Sequence, residues 1–285
     1  MNIKNWREIF KKELEKVLQI EKGIREKIKD TNLEYKILPK NNIFRALELT
    51  TLDKARVLIV GQDPYPEIKE EEGEIICRAD GLAFSFGDNA KENDSLKNIF
   101  DKLREIKDIE LETRDLTQWA KRGILLLNTS LTYGKLYDKD KPNMRIPEYK
   151  NLQNKIQKQH LNIWQNGIEN LIQKIISYKI EQKEPFVIML WGGHANLLQP
   201  FRDDTKDKEL ENKNILILRS SHPTNSGKQA SSYSGNFKTI AKKLKCNPLI
   251  NPVNPFMKQN HFIICNEYYE KLKHSPIDWS LYKTE

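Results

Sequence analysis

The sequence predicts an α/β protein built on a parallel sheet, and three observations carry that expectation. Short, nearly uninterrupted apolar runs occur at residues 57–60, 124–127, 186–190 and 215–218. Helical patterns lie between them, notably over 95–106, 115–121 and 160–177. Each apolar run also ends abruptly in polar, Gly- or Pro-containing sequence. Strands buried on both faces of a parallel sheet read as continuous apolar runs rather than alternating ones. Strands that alternate with helices form βαβ units, whose crossovers cover both faces. The expected architecture is a three-layer sandwich with a central four-stranded parallel sheet flanked by helices.

The elements follow in chain order. Residues 4–29 read as a charged amphipathic helix, with Trp6, Ile9, Phe10, Leu14, Val17 and Leu18 on one stripe. The first strand runs into Gly61-Gln62-Asp63-Pro64-Tyr65 and the second into Asn128-Thr129. The third ends in Trp191-Gly192-Gly193-His194 and the fourth in Ser220-Ser221-His222-Pro223. Right-handed parallel connections bring all four ends to one edge, where open α/β sheets bind ligands. Asp63, Asn128 and His222 are therefore expected as neighbours. Segments near 67–78, 133–149 and 225–246 read as insertions: one acidic, one polar with two prolines, one Ser/Gly-rich and then Lys-rich. Trp279, in the C-terminal Pro276-Ile277-Asp278-Trp279-Ser280-Leu281, is expected to dock on the body.

Composition narrows the class. A chain of 285 residues holds one large α/β domain or two smaller ones, and 38% hydrophobic residues suffice for a packed core. No apolar stretch is long enough to span a membrane, and the first residues lack the apolar region of a secretory signal. Cys77, Cys246 and Cys265 are odd in number and far apart. They form neither a disulfide framework nor a metal motif, and they suit a reducing cytoplasm. The scattered histidines lack ligand spacing, so no metal is expected; without a Gly-rich phosphate loop, neither is a nucleotide cofactor. The formal net charge is +8. Between Glu211 and Glu267 there is no acidic residue, while Lys213, Arg219, Lys228, Lys238, Lys242, Lys243, Lys245 and Lys258 are all cationic. A basic surface beside a candidate site fits a polyanionic substrate; a solvated lysine-rich face is the plainer alternative.

Seven strings, in order, resemble family-1 uracil-DNA glycosylase, from about Leu52 to Leu281. Residues 61–65 match the family's water-activating loop, and Gly81-Leu82-Ala83-Phe84-Ser85 the segment bearing its stacking aromatic. Residues 95–100 match a phosphate-contacting helix start, and 123–132 the uracil-reading strand. Segments 190–195, 221–223 and 276–281 follow in the family's order. Three departures stand out. Pro66 occupies a position that is His in many members, and the loop before Gly81 is longer than usual. After His222 the expected Pro-Ser-Pro-Leu-Ser is replaced by Pro223-Thr224-Asn225-Ser226-Gly227. A later Asn247-Pro248-Leu249-Ile250 resembles the remainder of that motif displaced by an insertion.

The resemblance implies a single glycosylase domain over 1–285, with an N-terminal helical extension over about 1–50, acting as a monomer without cofactor on single- or double-stranded uracil-containing DNA. A base inside a duplex must be flipped out before its glycosidic bond can be reached. Two charges then develop, a positive sugar and a departing uracil anion. The resemblance gives Asp63 the sugar and water, and His222 the uracil O2; read alone, they are a turn-forming Asp and a buried structural His. Asn128 is implied to pair with N3–H and O4 of uracil, against which cytosine is mispaired. Tyr65 would exclude the methyl of thymine, Phe84 would stack on the base, and Gln62 would contact uracil through its backbone. Ordinary strand-end bonding and core packing are the plain readings of these residues. Leu249 is the implied wedge in the DNA stack, or else a loop leucine packed on the surface. Ser95, Ser221 and Thr224 are candidate phosphate contacts, any of which could simply be a cap. His160 and His194 match family positions near the site. Two other functions remain at this level: a non-catalytic DNA-binding protein on the same fold, and a glycosylase of broader base choice. The retained Asp63, Tyr65, Phe84, Asn128 and His222 argue against the former. The Asp63-Pro64-Tyr65 sequence and the few, dispersed cysteines argue against the latter.

Overall fold

Burial decides which of these runs become strands. In the computed structural model, which describes residues 5–39, 41–86, 93–142, 144, 146–224 and 254–283, all four lie in one parallel sheet. We number elements along the chain: helices α1 (Trp6–Ile9), α2 (Lys11–Ile28), α3 (Arg45–Leu49), α4 (Asp94–Leu103), α5 (Thr117–Lys121), α6 (Lys150–Gln182), α7 (Gly193–Asn196), α8 (Asp207–Glu211) and α9 (His261–Lys271). The strands are β1 (Leu33–Leu38), β2 (Val57–Gly61), β3 (Ile68–Glu71), β4 (Glu74–Cys77), β5 (Ile124–Asn128), β6 (Tyr133–Asp138), β7 (Phe186–Trp191) and β8 (Ile215–Ser220).

The central sheet has the order β5-β2-β7-β8. Every residue of β2, β5 and β7 is buried, which is why they read as unbroken apolar runs. Burying each Leu, Ile or Val in such a layer is worth roughly 1.5–3 kcal/mol before entropy is counted. The register pairs Gly61 with Asn128 and Trp191 with Ser220, so the chemical ends of the strands sit side by side. β5 is an edge strand, but its free side is used: the Ala83 N–H donates to the Leu126 carbonyl at 3.0 Å. Beyond β8 the chain returns at Asn254, which bridges Ser220.

The structure departs from the sequence reading at the N-terminus. The helix expected over 4–29 is broken at Phe10, which caps α1 and opens α2. Trp6, Phe10 and Val17 are buried, while Ile9 and Leu18 point to solvent. The 1–50 region is not wholly helical, since β1 pairs antiparallel with β6 inside the 133–149 segment. The acidic 67–78 segment is a hairpin of β3 and β4, seated through Ile68 on Leu38, Tyr133 and Tyr137. Trp279 is buried edge-on against Trp119 and Phe262. No helix among the described residues is long and apolar enough to cross a membrane.

Candidate active site

Each functional side chain is delivered by a strand end and fixed by the loop that follows it. Beyond β2 and β5 the ladder continues without strand geometry. Thr129 N–H donates to Gly61 O at 3.0 Å, Ser130 N–H to Gln62 O at 2.9 Å, and the Thr129 hydroxyl to Gln62 O at 2.7 Å. The Gln62–Asp63 turn is thereby clamped onto the strand that carries Asn128. Gly61 is required here for space. A Cβ at that position would stand 2.1 Å from Asn128 Oδ1 and 2.8 Å from Ala83 Cβ. The Asn128 carboxamide lies over bare backbone and is 7% exposed.

Asp63 is only partly exposed, and Gln157 of α6 donates to its Oδ2 at 2.5 Å. Burial raises its carboxyl from the usual range to about 6, with the amides of Gln157 and Gln62 opposing the rise. His222 moves the other way: burial and, behind it, nearby His194 lower its imidazole to about 4. Its Nδ1 accepts from the Thr224 N–H at 3.2 Å. A neutral imidazole that accepts at Nδ1 carries its proton on Nε2. The ring packs against Gly192, where a Cβ would meet it at 3.0 Å and where φ is +92°. Asn98 of α4 ties down the next residue, donating to the Pro223 carbonyl at 2.6 Å.

Phe84 has φ +66°, a left-handed conformation that a bulky side chain adopts only under constraint. The constraint is a clasp around Asp80. Its Oδ1 accepts from Leu82 N–H at 3.0 Å, and its Oδ2 from the Ser85 hydroxyl at 2.7 Å and Arg45 Nη1 at 2.8 Å. The Phe84 ring stands 5.4 Å from Trp191 and 6.0 Å from His222, centroid to centroid. Tyr65 stacks on Phe86 at 4.5 Å with 20° between the planes. Asp63, Tyr65, Phe84, Asn128 and His222 thus come from four strand-end or loop segments at the carboxyl edge of the sheet.

Other expected residues fall differently. Ser221 is buried and its hydroxyl accepts from the Phe256 N–H at 2.9 Å, holding the returning chain. Ser95 is buried in the first turn of α4, beneath the Asn93 cap, while Thr224 is part-exposed beside His222. His160 lies deeper than a site residue, between Tyr35 at 2.8 Å and Thr132 at 2.8 Å, and burial lowers it to about 4. His194 and Gln62 line a groove of about 410 Å³ with Thr129, Asn154, Gln157 and Lys158. Leu249 and the 225–246 insertion lie outside the described residues. Sequence reasoning missed Asp80 and Gln157, and it quoted Asn98 and Gly192 within matching strings without giving either a role. Asp80 directly precedes a quoted motif, but Gln157 sits among polar helix residues that give no signal.

Residues 49–248 match the family model described as the Uracil DNA glycosylase superfamily. A uracil-DNA glycosylase from Lactococcus lactis subsp. cremoris is 35% identical over 257 residues, covering 89% of this chain and 88% of the relative. One from Francisella tularensis subsp. novicida is 32% identical over 244 residues, covering 85% and 83%. Among solved structures, that of mimivirus uracil-DNA glycosylase superposes with a TM-score of 0.63 at 22% identity, covering 97% of this chain and 86% of that one. That likeness bears on fold alone. With the family model spanning more than half of the chain, and relatives above 30% identity along most of its length, the chain belongs to the uracil-DNA glycosylase superfamily.

Proposed function

We propose that this protein hydrolyses the N-glycosidic bond of a deoxyuridine flipped out of DNA, with Asp63 facing the sugar and His222 facing uracil O2. Uracil is released and an abasic site remains, the opening step of base excision repair. The observation that carries the reading is the oriented pair at the sheet edge. A part-buried neutral imidazole, its Nδ1 already occupied, stands at the same sheet edge as a part-buried carboxylate that, among the described residues, is held by the amides of Gln157 and Gln62.

The chemistry follows from that pair. As the C1′–N1 bond breaks, its electron pair passes to uracil and accumulates on O2, while the sugar becomes oxocarbenium-like. His222 donates from Nε2 to the forming oxyanion. A preorganised donor of this kind is worth about 10²–10³ in rate. The Asp63 carboxylate meets the sugar's positive charge and orients the water whose oxygen bonds to C1′. The water's proton leaves to Asp63 or to solvent. Asn128 reads N3–H and O4, Phe84 stacks on the base, and the Tyr65 ring, fixed on Phe86, closes the space a thymine methyl would need. Ser95, Ser221 and Thr224 are proposed to meet phosphates and Gln62 to meet uracil through its main chain. The active form is proposed to be a cytoplasmic monomer, to be checked by light scattering and fractionation.

The test is uracil release from a single-stranded oligonucleotide with one U, beside a T control, with EDTA present. Release from U alone, lost in Asp63→Asn, supports the reading. Tight DNA binding without release would favour a non-catalytic binder. Leu249 is proposed as the wedge, and Leu249→Ala should impair excision from duplex more than from single strands; equal losses would remove it from that role.

A further inference from the structure

Four polar or aromatic residues stand at helical spacing along α6 and bond outward from it: Gln153, Gln157, His160 and Trp164. Three of them fasten the helix to β6 and its approach. The Gln153 amide donates to Gly134 O at 2.7 Å and accepts from Leu136 N–H at 2.9 Å. His160 bonds Thr132 and Tyr35, and Trp164 donates to the Thr132 hydroxyl at 2.7 Å. Gln157 lies between these anchors, with its backbone pinned about one turn before and one turn after. Its own amide goes elsewhere, to Asp63 Oδ2.

We propose, on the glycosylase reading, that Gln157 is the positioning residue of Asp63, fixing one carboxylate oxygen so that the other faces the sugar. The neutrality of this donor matters as much as its position. A lysine or arginine here would also orient the carboxylate, but its charge would cancel the one needed against the oxocarbenium ion. An amide orients without neutralising. The surroundings of Asp63 agree. Burial and the amides of Gln157 and Gln62 are what act on its ionisation. From β6, Tyr133 is the titratable neighbour that feels its charge; Glu67, further along the Asp63 loop, acts on the same tyrosine. On α6 the adjoining residue is Lys158, which lines the neighbouring groove. Because burial shifts the carboxyl to about 6, the Gln157 bond is a lever on the pH range in which Asp63 is charged.

The experiment compares wild type with Gln157→Met, of similar length but without a donor, and Gln157→Lys, which supplies a charged one. The first readout is the Asp63 carboxyl titration by carbon-13 NMR on the free protein, independent of turnover. Losing a hydrogen bond to the charged form raises the midpoint, by about one pH unit for a bond of ordinary charge-assisted strength. The Lys variant should move it down. The second readout is single-turnover uracil release. Both variants should lose rate, by about tenfold or more for a displaced reacting group, with KM for uracil-containing DNA little changed. Midpoints that stay put in both variants, or an effect confined to KM, would overturn the positioning role. Absence of release by wild type would instead strike the glycosylase reading, while the titration still decides the Gln157 bond.

Discussion

Asp63 and His222 answer to the same physical force with opposite shifts. Desolvation disfavours charge, so it raises the carboxyl to about 6 and lowers the imidazole to about 4. On the proposed mechanism, Asp63 is then the group that sets the acid limb of activity. We expect kcat/KM to climb as pH rises through about 6, where Asp63 ionises, and to be flat through neutrality. His222→Gln should lower the plateau and leave the limb in place, because His222 does not gain a proton until near 4. A limb that vanished with His222 would assign it to the wrong residue. The same burial makes a stability prediction. Well below the ordinary 3.8, Asp63 is protonated in folded and unfolded chains alike and its burial costs almost nothing. As pH rises from the ordinary 3.8 towards 6, the unfolded chain ionises while the folded one keeps its proton, so stability falls; above 6 the cost is complete. Asp63→Asn should therefore melt higher than wild type at pH 7, by up to about 3 kcal/mol, and no higher at pH 3.5 or so. Thermal melts at the two pH values check this, and a variant equally stable at both would show that Asp63 is not held against its desolvation.

At the scale of elements, the loop bearing Phe84 shows how a strained residue is retained. Asp80 gathers three donors from Leu82, Ser85 and Arg45 around the left-handed turn. Arg45 in turn donates to Thr117 at 2.7 Å, tying the loop to α5. Asp80→Ala strips those donors of their acceptor, and we expect a loss of about 2–4 kcal/mol in stability. Activity assayed well below the melting point should show KM rising more than kcat falls, since Phe84, the proposed stacking platform for the base, is loosened. An unchanged KM would mean that β5, through the Ala83 N–H, holds Phe84 by itself. Legibility also divides by element. Three of the four central strands are readable because burial on both faces leaves no polar position in Val57–Gly61, Ile124–Asn128 or Phe186–Trp191 except at the chemical end, while β8 is only partly buried and reads through its apolar Ile215–Leu218 run. β1 and β6 are not, because each buries only part of a short, mixed sequence and Gly134 lies within β6. The first turns of α6 escape for a different reason: residues 150–159 are mostly polar, and Gln153 and Gln157 bind through hydrogen bonds rather than an apolar stripe. Site residues that end strands were thus visible, while those that steady them from a helix were hidden.

Over the whole molecule the question is where the positive charge is put to use. The net charge of +8 equals the eight cations between Glu211 and Glu267, but two of them are paired with acids in the structure. Arg219 is nearly buried and paired with Asp207 at 2.7 Å, and Lys213 is paired with Glu209 at 2.7 Å one helical turn away. Lys258 is exposed on the returning chain. The other five, Lys228, Lys238, Lys242, Lys243 and Lys245, fall in the segment between His222 and the proposed wedge Leu249, outside the described residues. That position in the sequence favours contact with DNA flanking the flipped nucleotide. Each phosphate neutralised by lysine releases condensed counterions, so the logarithm of affinity falls with the logarithm of salt by about 0.7 per contact on single strands. In the Asp63→Asn background, where substrate survives, replacing all five lysines by glutamine should flatten that slope by about 0.7 for each lysine that meets a phosphate. It should leave the discrimination of U from T intact, because the proposed base-reading residues Asn128 and Tyr65 lie outside that segment. An unchanged slope would make the lysines a solvated face and move the electrostatic footprint to Lys258 and to the groove that Lys158 lines beside Gln62.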